Sequence, residues 1–212
     1  VVSSWYGKAS KILGVTVEIR RDPAVTAAMP CVFLANHQNN YDLFTISGAL
    51  VPGTVTIGKK SLKWIPFFGQ LYWFLGNILI DRNNKSKAVG TMQGAVERIT
   101  RDQLSVWVFP QGTRSRGRGL LPFKTGAFHI AQQAAVPIVP ICMSQTQGKI
   151  KLNRWNNGKI IIEFLPPLLP EDFAVPAREV AQQVRSLMAE KIAALDSELA
   201  SDYTAPTTTV AG

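Results

Sequence analysis

Apolar and polar positions follow two different periods along this chain, and the switches between them mark a repeating order of strands and helices. VTVEIR (15–20) alternates residue by residue, as an edge strand does. Cys31–Ala35 is a short continuous apolar run, the pattern of a strand buried on both faces. Further strands are predicted at TVTIG (54–58), Asn77–Ile80, Ser105–Phe109, Val136–Cys142 and Lys159–Phe164. Between them helical spacing appears in Leu43–Leu50, in Gly126–Ala134 and in the charged stretch Val175–Ala200. It is clearest in Lys85–Thr100, where Ala88, Met92, Ala95, Val96 and Ile99 share one face. Alternating strands and helices predict an α/β sandwich on one central sheet.

The ends read differently. Val1–Leu13 sets Trp5, Ala9, Ile12 and Leu13 at helical spacing beside Lys8 and Lys11, an amphipathic helix suited to a lipid interface or to packing on the domain. Thr204–Gly212 is small and polar, and a tail is expected over 201–212. With no repeat or linker between, the expected organisation is a membrane-associated remnant at 1–13, one catalytic domain at 14–200 and the tail. Trp64–Ile80 is the greasiest uncharged stretch, but Pro66, Gly69 and Gly76 interrupt it, and a spanning helix needs about 20 apolar residues. Its first part, WIPFFGQLYWF, has six aromatics in eleven residues, and reads as core, as a lipid-facing surface or as the wall of an acyl pocket.

Composition narrows the class. At 212 residues, 46% hydrophobic and 17% charged, the chain is too apolar for disorder and long enough for a sizeable core. Its net charge of +9 is uneven. Residues 1–162 hold 20 basic against 6 acidic side chains, residues 163–212 hold 3 against 8, and residues 59–118 alone hold 11 against 3. An anionic partner is expected at that middle segment, and charge alone leaves open a nucleic acid, an anionic membrane or a phosphorylated substrate. Cys31 and Cys142 lie in apolar runs and read as buried reduced thiols, which favours a reducing compartment.

Few residues are equipped for chemistry. Of the two histidines, His129 lies in the apolar helix GAFHIA and reads as a core or helix-face residue. His37 opens the polar cluster NHQNNYD directly after a buried strand, five residues before Asp42. Imidazole titrates near neutrality and suits proton acceptance, and a carboxylate on its other nitrogen fixes the tautomer. A pair that only caps a helix has the same spacing. No G-x-S-x-G elbow or activated cysteine supplies a nucleophile, so a His37 base would activate a substrate hydroxyl. No Cys or His cluster has metal-ligand spacing.

Cations gather after other predicted strands. Phe109-Pro110-Gln111-Gly112-Thr113-Arg114-Ser115, with Arg116, Arg118 and Lys124 beyond it, combines a small-residue turn with guanidiniums, a phosphate-binding chemistry. GLLPFKT (119–125) is not a P-loop, because Phe123 stands where glycine is required. The segment has no recognition-helix or aromatic RNA-binding pattern, and nucleic acid is not expected as a partner. Lys59-Lys60 and Asp81-Arg82 follow two more strands, and parallel strands would bring all these groups to one sheet edge.

Together, NHQNNYD, GNILIDR, FPQGTRS and VPIVPI resemble, in order, the four sequence blocks of the glycerolipid acyltransferase family. The resemblance implies that family's fold, a single domain with a mixed, largely parallel sheet flanked by helices. It implies transfer of a fatty acyl group from acyl-ACP or acyl-CoA to the sn-2 hydroxyl of lysophosphatidic acid, giving phosphatidic acid without a cofactor or an acyl-enzyme. His37 is then the base and Asp42 its support, and Lys60, Arg114 and Arg82 face the acceptor phosphate within a substrate-binding set that includes Gln111, Gly112 and Thr113. Backbone N–H groups near Gly112 are expected to stabilise the oxyanion. The family's glutamate is replaced by Gln111, which loses a negative charge and is expected to lower acceptor affinity or turnover. The resemblance also implies peripheral or monotopic attachment to an anionic membrane surface, the bacterial inner membrane, with the site on the cytoplasmic side. A relative acting on glycerol 3-phosphate or another lysophospholipid, and an anionic-lipid or nucleic-acid binding module without catalysis, are the competing readings.

Overall fold

The computed structural model describes residues 9–11, 13–81, 85–151 and 153–204. Seven strands form one sheet: β1 (Thr16–Arg20), β2 (Val32–Ala35), β3 (Thr54–Lys59), β4 (Ile78–Ile80), β5 (Ser105–Val108), β6 (Ile138–Met143) and β7 (Lys159–Phe164), in the order β1-β7-β6-β2-β5-β3-β4. Every neighbouring pair is parallel except β6 with β7. The sheet is therefore mixed and largely parallel, and β2 to β6 all deliver their carboxyl ends to one edge. The continuous apolar runs are the central strands: β2 and β6 are buried at every position, whereas the alternating VTVEIR lies in β1 at the edge, paired with β7 alone.

Side chains of successive strand residues point to opposite faces, so each strand feeds two cores. Val32, Leu34 and Val106 pack on one face with Ile99, Phe128 and Val184 of the helices α4 (Lys85–Thr100), α5 (Gly126–Ala134) and α6 (Ala177–Thr204). Phe33, Ala35 and Trp107 pack on the other with Val25 of the short helix α1 (Pro23–Ala27) and Ile46 just after α2 (Asp42–Thr45). On α4, Ala95 and Ile99 are buried, and Met92 and Val96 pack against that core. Cys31 and Cys142 are buried and unbridged. His129 lies on the exposed face of α5.

Some elements differ from their predicted form. The helix predicted over Leu43–Leu50 is split into α2 and a 3-10 turn at Ser47–Ala49. Residues 60–74 fold as a 3-10 turn (Lys60–Trp64) and helix α3 (Phe68–Phe74), elements that the aromatic run hid because it has no polar face to set a period. Helix α6 continues to Thr204, into the segment expected as a tail, and residues 205–212 lie outside the described residues. So do residues 1–8 and 12, and with them most of the predicted amphipathic helix; Ala9–Lys11 form a 3-10 turn. Among the described residues no helix is long and apolar enough to cross a membrane.

Candidate active site

The polar cluster after β2 becomes a tight turn closed by one carboxylate. Asp42, the first residue of α2 and 1% exposed, turns Oδ2 back into the cluster. That oxygen accepts from the backbone N–H groups of Gln38 (2.6 Å) and Asn39 (3.2 Å) and lies 2.6 Å from Nδ1 of His37. With Nδ1–H donating to the carboxylate, the lone pair of the imidazole is at Nε2, and the ring is one-fifth exposed. Phe109 at the end of β5 stacks on the ring at 4.2 Å, so hydrogen bond and stacking together fix its plane.

Three amides hold this turn to its neighbours. Asn36 exchanges two 2.8 Å bonds with the backbone of Met143, tying the end of β2 to the end of β6. Gln38 donates to Ser144 O (2.8 Å) and accepts from Thr146 N–H (2.8 Å). Gln111, 3% exposed, accepts the His37 backbone N–H at 2.8 Å, while its own Nε2 is buried without a partner. The carbonyl of Gln111, a residue expected to contact substrate, thus supports the backbone of His37. Asn36, Gln38, Thr146 and Phe109 were absent from the sequence-based site. The signal for the first two was a buried strand running straight into amides that need partners.

The loop after β5 crosses in front of the turn. Ser115 N–H and Arg116 N–H donate to the carbonyls of His37 and Gln38, both at 2.9 Å. Gly112 adopts φ +70°, and the stem of Lys124 lies 3.4 Å from where a Cβ would sit. Its N–H closes the turn onto Phe109 O (3.0 Å). The side chain of Thr113 is exposed and that of Arg114 half-buried. Lys60, one residue beyond β3, reaches Asp81 at 3.5 Å, and Arg82 lies outside the described residues. Burial pushes the thiols of Cys31 and Cys142 up to about 12, which leaves neither ionised near neutrality. Among the described residues no group of three acidic, His or Cys side chains can hold a metal ion.

Aromatic side chains crowd the β3–β4 side of the same edge. Trp64, Phe67, Trp73 and Phe74 are 76%, 91%, 62% and 78% exposed. The turn and helix that carry them are nevertheless anchored. Gly69 sits so close to the carbonyls of Leu62 and Lys63 that a Cβ would be 2.4 Å away, and Tyr72 Oη meets Thr56 Oγ1 at 2.5 Å. Lys63 Nζ lies over the Trp64 ring at 4.5 Å.

An imidazole oriented through Nδ1, with its lone pair at Nε2 and cations on the neighbouring loops, is an arrangement that can take a proton from a substrate hydroxyl. The Acyltransferase family model matches residues 16–144, and the chain belongs to that family. It is 53% identical over 196 residues to the 1-acyl-sn-glycerol-3-phosphate acyltransferase of Escherichia coli, covering 92% of this chain and 80% of that one. With the enzyme of the same name from Haemophilus influenzae it shares 49% over 201 residues, 94% of this chain and 84% of the relative. Among solved structures, the 1-acyl-sn-glycerophosphate (LPA) acyltransferase of Thermotoga maritima superposes with a TM-score of 0.76 at 25% identity, over 92% of this chain and 79% of that one.

Proposed function

We propose that this protein transfers a fatty acyl group from a thioester to the sn-2 hydroxyl of 1-acyl-sn-glycerol 3-phosphate, giving phosphatidic acid. The observation that carries the reading is the 2.6 Å contact between His37 Nδ1 and the buried Asp42, which leaves Nε2 as the basic nitrogen. Nε2 takes the proton of the acceptor hydroxyl as its oxygen attacks the thioester carbonyl, and Asp42 stabilises the imidazolium that forms. Backbone N–H groups of the turn at Gly112, with Thr113 and Arg114 beside it, are the donors for the developing oxyanion. Collapse re-forms the carbonyl and breaks the C–S bond, and the thiolate leaves with the proton returned by His37. An ester and a thiol result, with no redox change and no acyl-enzyme.

The donor is acyl carrier protein or CoA carrying the fatty acid, and no cofactor is needed for the balance to close. Lys60, Arg114 and Arg82 are the cations that meet substrate phosphate. The acceptor is an amphiphile, and the exposed aromatics with Lys59, Lys60 and Lys63 offer both apolar area and positive charge to an anionic bilayer. The protein accordingly sits peripherally on the cytoplasmic face of the bacterial inner membrane, with residues 1–13 part of the same contact and 14–200 the catalytic unit.

Incubation with acyl-CoA or acyl-ACP and either lysophosphatidic acid or glycerol 3-phosphate, with released thiol and lipid product both measured, tests the assignment. Product from lysophosphatidic acid, lost in His37→Ala, is the expected result. Product from glycerol 3-phosphate alone would move the acceptor, and no thiol release with any acceptor would sink the enzymatic reading.

A further inference from the structure

Residues 144–158 join β6 to β7 at the edge where β6 ends, and they carry a surface that the acyl transfer does not use. The segment holds Lys149, Lys151 and Arg154 and no acidic residue. None of these three cations enters an ion pair among the described residues. Trp155 beside them is 89% exposed.

The backbone beneath holds that exposure in place. Asn157, itself buried, accepts the Lys151 N–H at 2.9 Å through Oδ1, and its Nδ2 donates to Leu13 O (2.7 Å) and Lys151 O (3.0 Å). Its N–H donates to Gly14 O at 2.7 Å, and Gly14, at φ +62°, lies against the Trp155 carbonyl where no Cβ fits. Ile150 is buried in the core that contains Phe33 and Trp107. The turn is thus closed from inside by one asparagine, and a tryptophan and three cations remain outside.

Position and composition say what covers it. β6 lies one strand to one side of β2 and β3 two strands to the other, so this segment and the aromatic surface at 60–75 flank His37 on strands roughly 15 Å apart at the usual spacing. Its root is bonded to the turn that carries His37: Gln38 Nε2 donates to Ser144 O and Asn39 Nδ2 to Thr146 Oγ1, both at 2.8 Å. Its far end is tied through Asn157 to Leu13, the end of the segment assigned above to the bilayer contact. A protein partner needs roughly 800 Å² of packed surface with an apolar centre. Here one indole stands among lysine, arginine and asparagine, the composition of an anchor at headgroup level. We propose that the turn carrying Lys149, Lys151, Arg154 and Trp155 is a second bilayer contact, which takes anionic lipid headgroups on its cations and sets His37 between two points of attachment. This rests on the membrane-bound acyl-transfer reading above.

The test uses the whole chain with Trp155→Ser, with the triple variant Lys149→Gln/Lys151→Gln/Arg154→Gln, and with Asn153→Cys carrying an environment-sensitive fluorophore. Cys31 and Cys142 are buried, so the label goes to the new thiol. Partition onto phosphatidylcholine vesicles with and without phosphatidylglycerol is measured beside turnover of detergent-dispersed substrate. The triple variant is expected to bind phosphatidylglycerol vesicles roughly 100-fold more weakly, a deficit that shrinks as salt is raised. Trp155→Ser is expected to bind them roughly tenfold more weakly, and both variants keep the wild-type Tm and detergent turnover. The label is expected to shift to the blue on these vesicles. An unshifted label on vesicles that bind the protein, or wild-type partition in both variants, overturns the proposal. So does a raised KM for acyl-ACP with partition unchanged, which makes the turn a docking surface for an acidic carrier protein. A blue-shifted label with no thiol release from any acceptor defeats the acyl-transfer reading and leaves the bilayer contact standing.

Discussion

Residues 36–42 and residues 60–75 occupy the same sheet edge under opposite rules. In the first, a strand buried at every position runs into buried amides and a buried carboxylate, and hydrogen bonds tie the turn to two other segments, 143–146 and 111–116. In the second, a 3-10 turn and a short helix held at Gly69 and Tyr72 leave Trp64, Phe67, Trp73 and Phe74 exposed. Burying a polar group without a partner costs about 1–3 kcal/mol, so the first region tolerates few alternative geometries, as proton transfer at a fixed nitrogen demands. The second leaves apolar area unburied that only another apolar phase can cover. The edge thus joins a tightly hydrogen-bonded centre around His37 to an exposed apolar surface.

Substitutions can pull these two behaviours apart. The largest effect is expected at the base: His37→Ala should lower kcat by about 10³-fold, within the usual range for general-base catalysis, while vesicle binding stays intact. If turnover and membrane binding fell together, the separation drawn above would be lost. Replacing Trp64, Phe67, Trp73 and Phe74 together by Ser should do the reverse. Co-sedimentation with anionic vesicles is expected to drop by about 100-fold, with Tm and turnover of detergent-dispersed substrate little changed. At Gln111 the effect is intermediate. Gln111→Glu keeps an acceptor for the His37 N–H and removes the unpartnered Nε2 donor, so kcat/KM should rise by roughly tenfold with the fold intact. Identical steady-state rates for the two proteins would show that the lost charge does not matter. Lys60→Gln should matter least, about two- to threefold in the KM of lysophosphatidic acid, because this cation is exposed and already beside Asp81.

How much of this was legible in the sequence depended on whether a signal was local. Runs such as Cys31–Ala35 and Val136–Cys142 report their own burial, and a histidine placed right after such a run is conspicuous wherever the fold puts it. The bond from Gln111 to His37 joins segments 74 residues apart, and no spacing rule encodes it. Position 111 could be recognised as unusual in its family block, but not as a prop for the backbone of the base. The reversal of β7 was equally hidden, since a buried parallel strand and a buried antiparallel one carry the same apolar run. Helix α3 escaped for a different reason: amphipathic periodicity depends on one face being polar, and Trp64–Phe74 has none.

That reversal has a consequence for how the molecule is oriented. Because β7 runs against β6 and β1 runs with β7, Thr16 begins β1 at the edge where β6 ends. The turn at Ala9–Lys11 accordingly packs beside α2, the helix that opens with Asp42. The start of β1 and the His37–Asp42 pair therefore share one edge of the sheet, and a surface met at that edge meets both together.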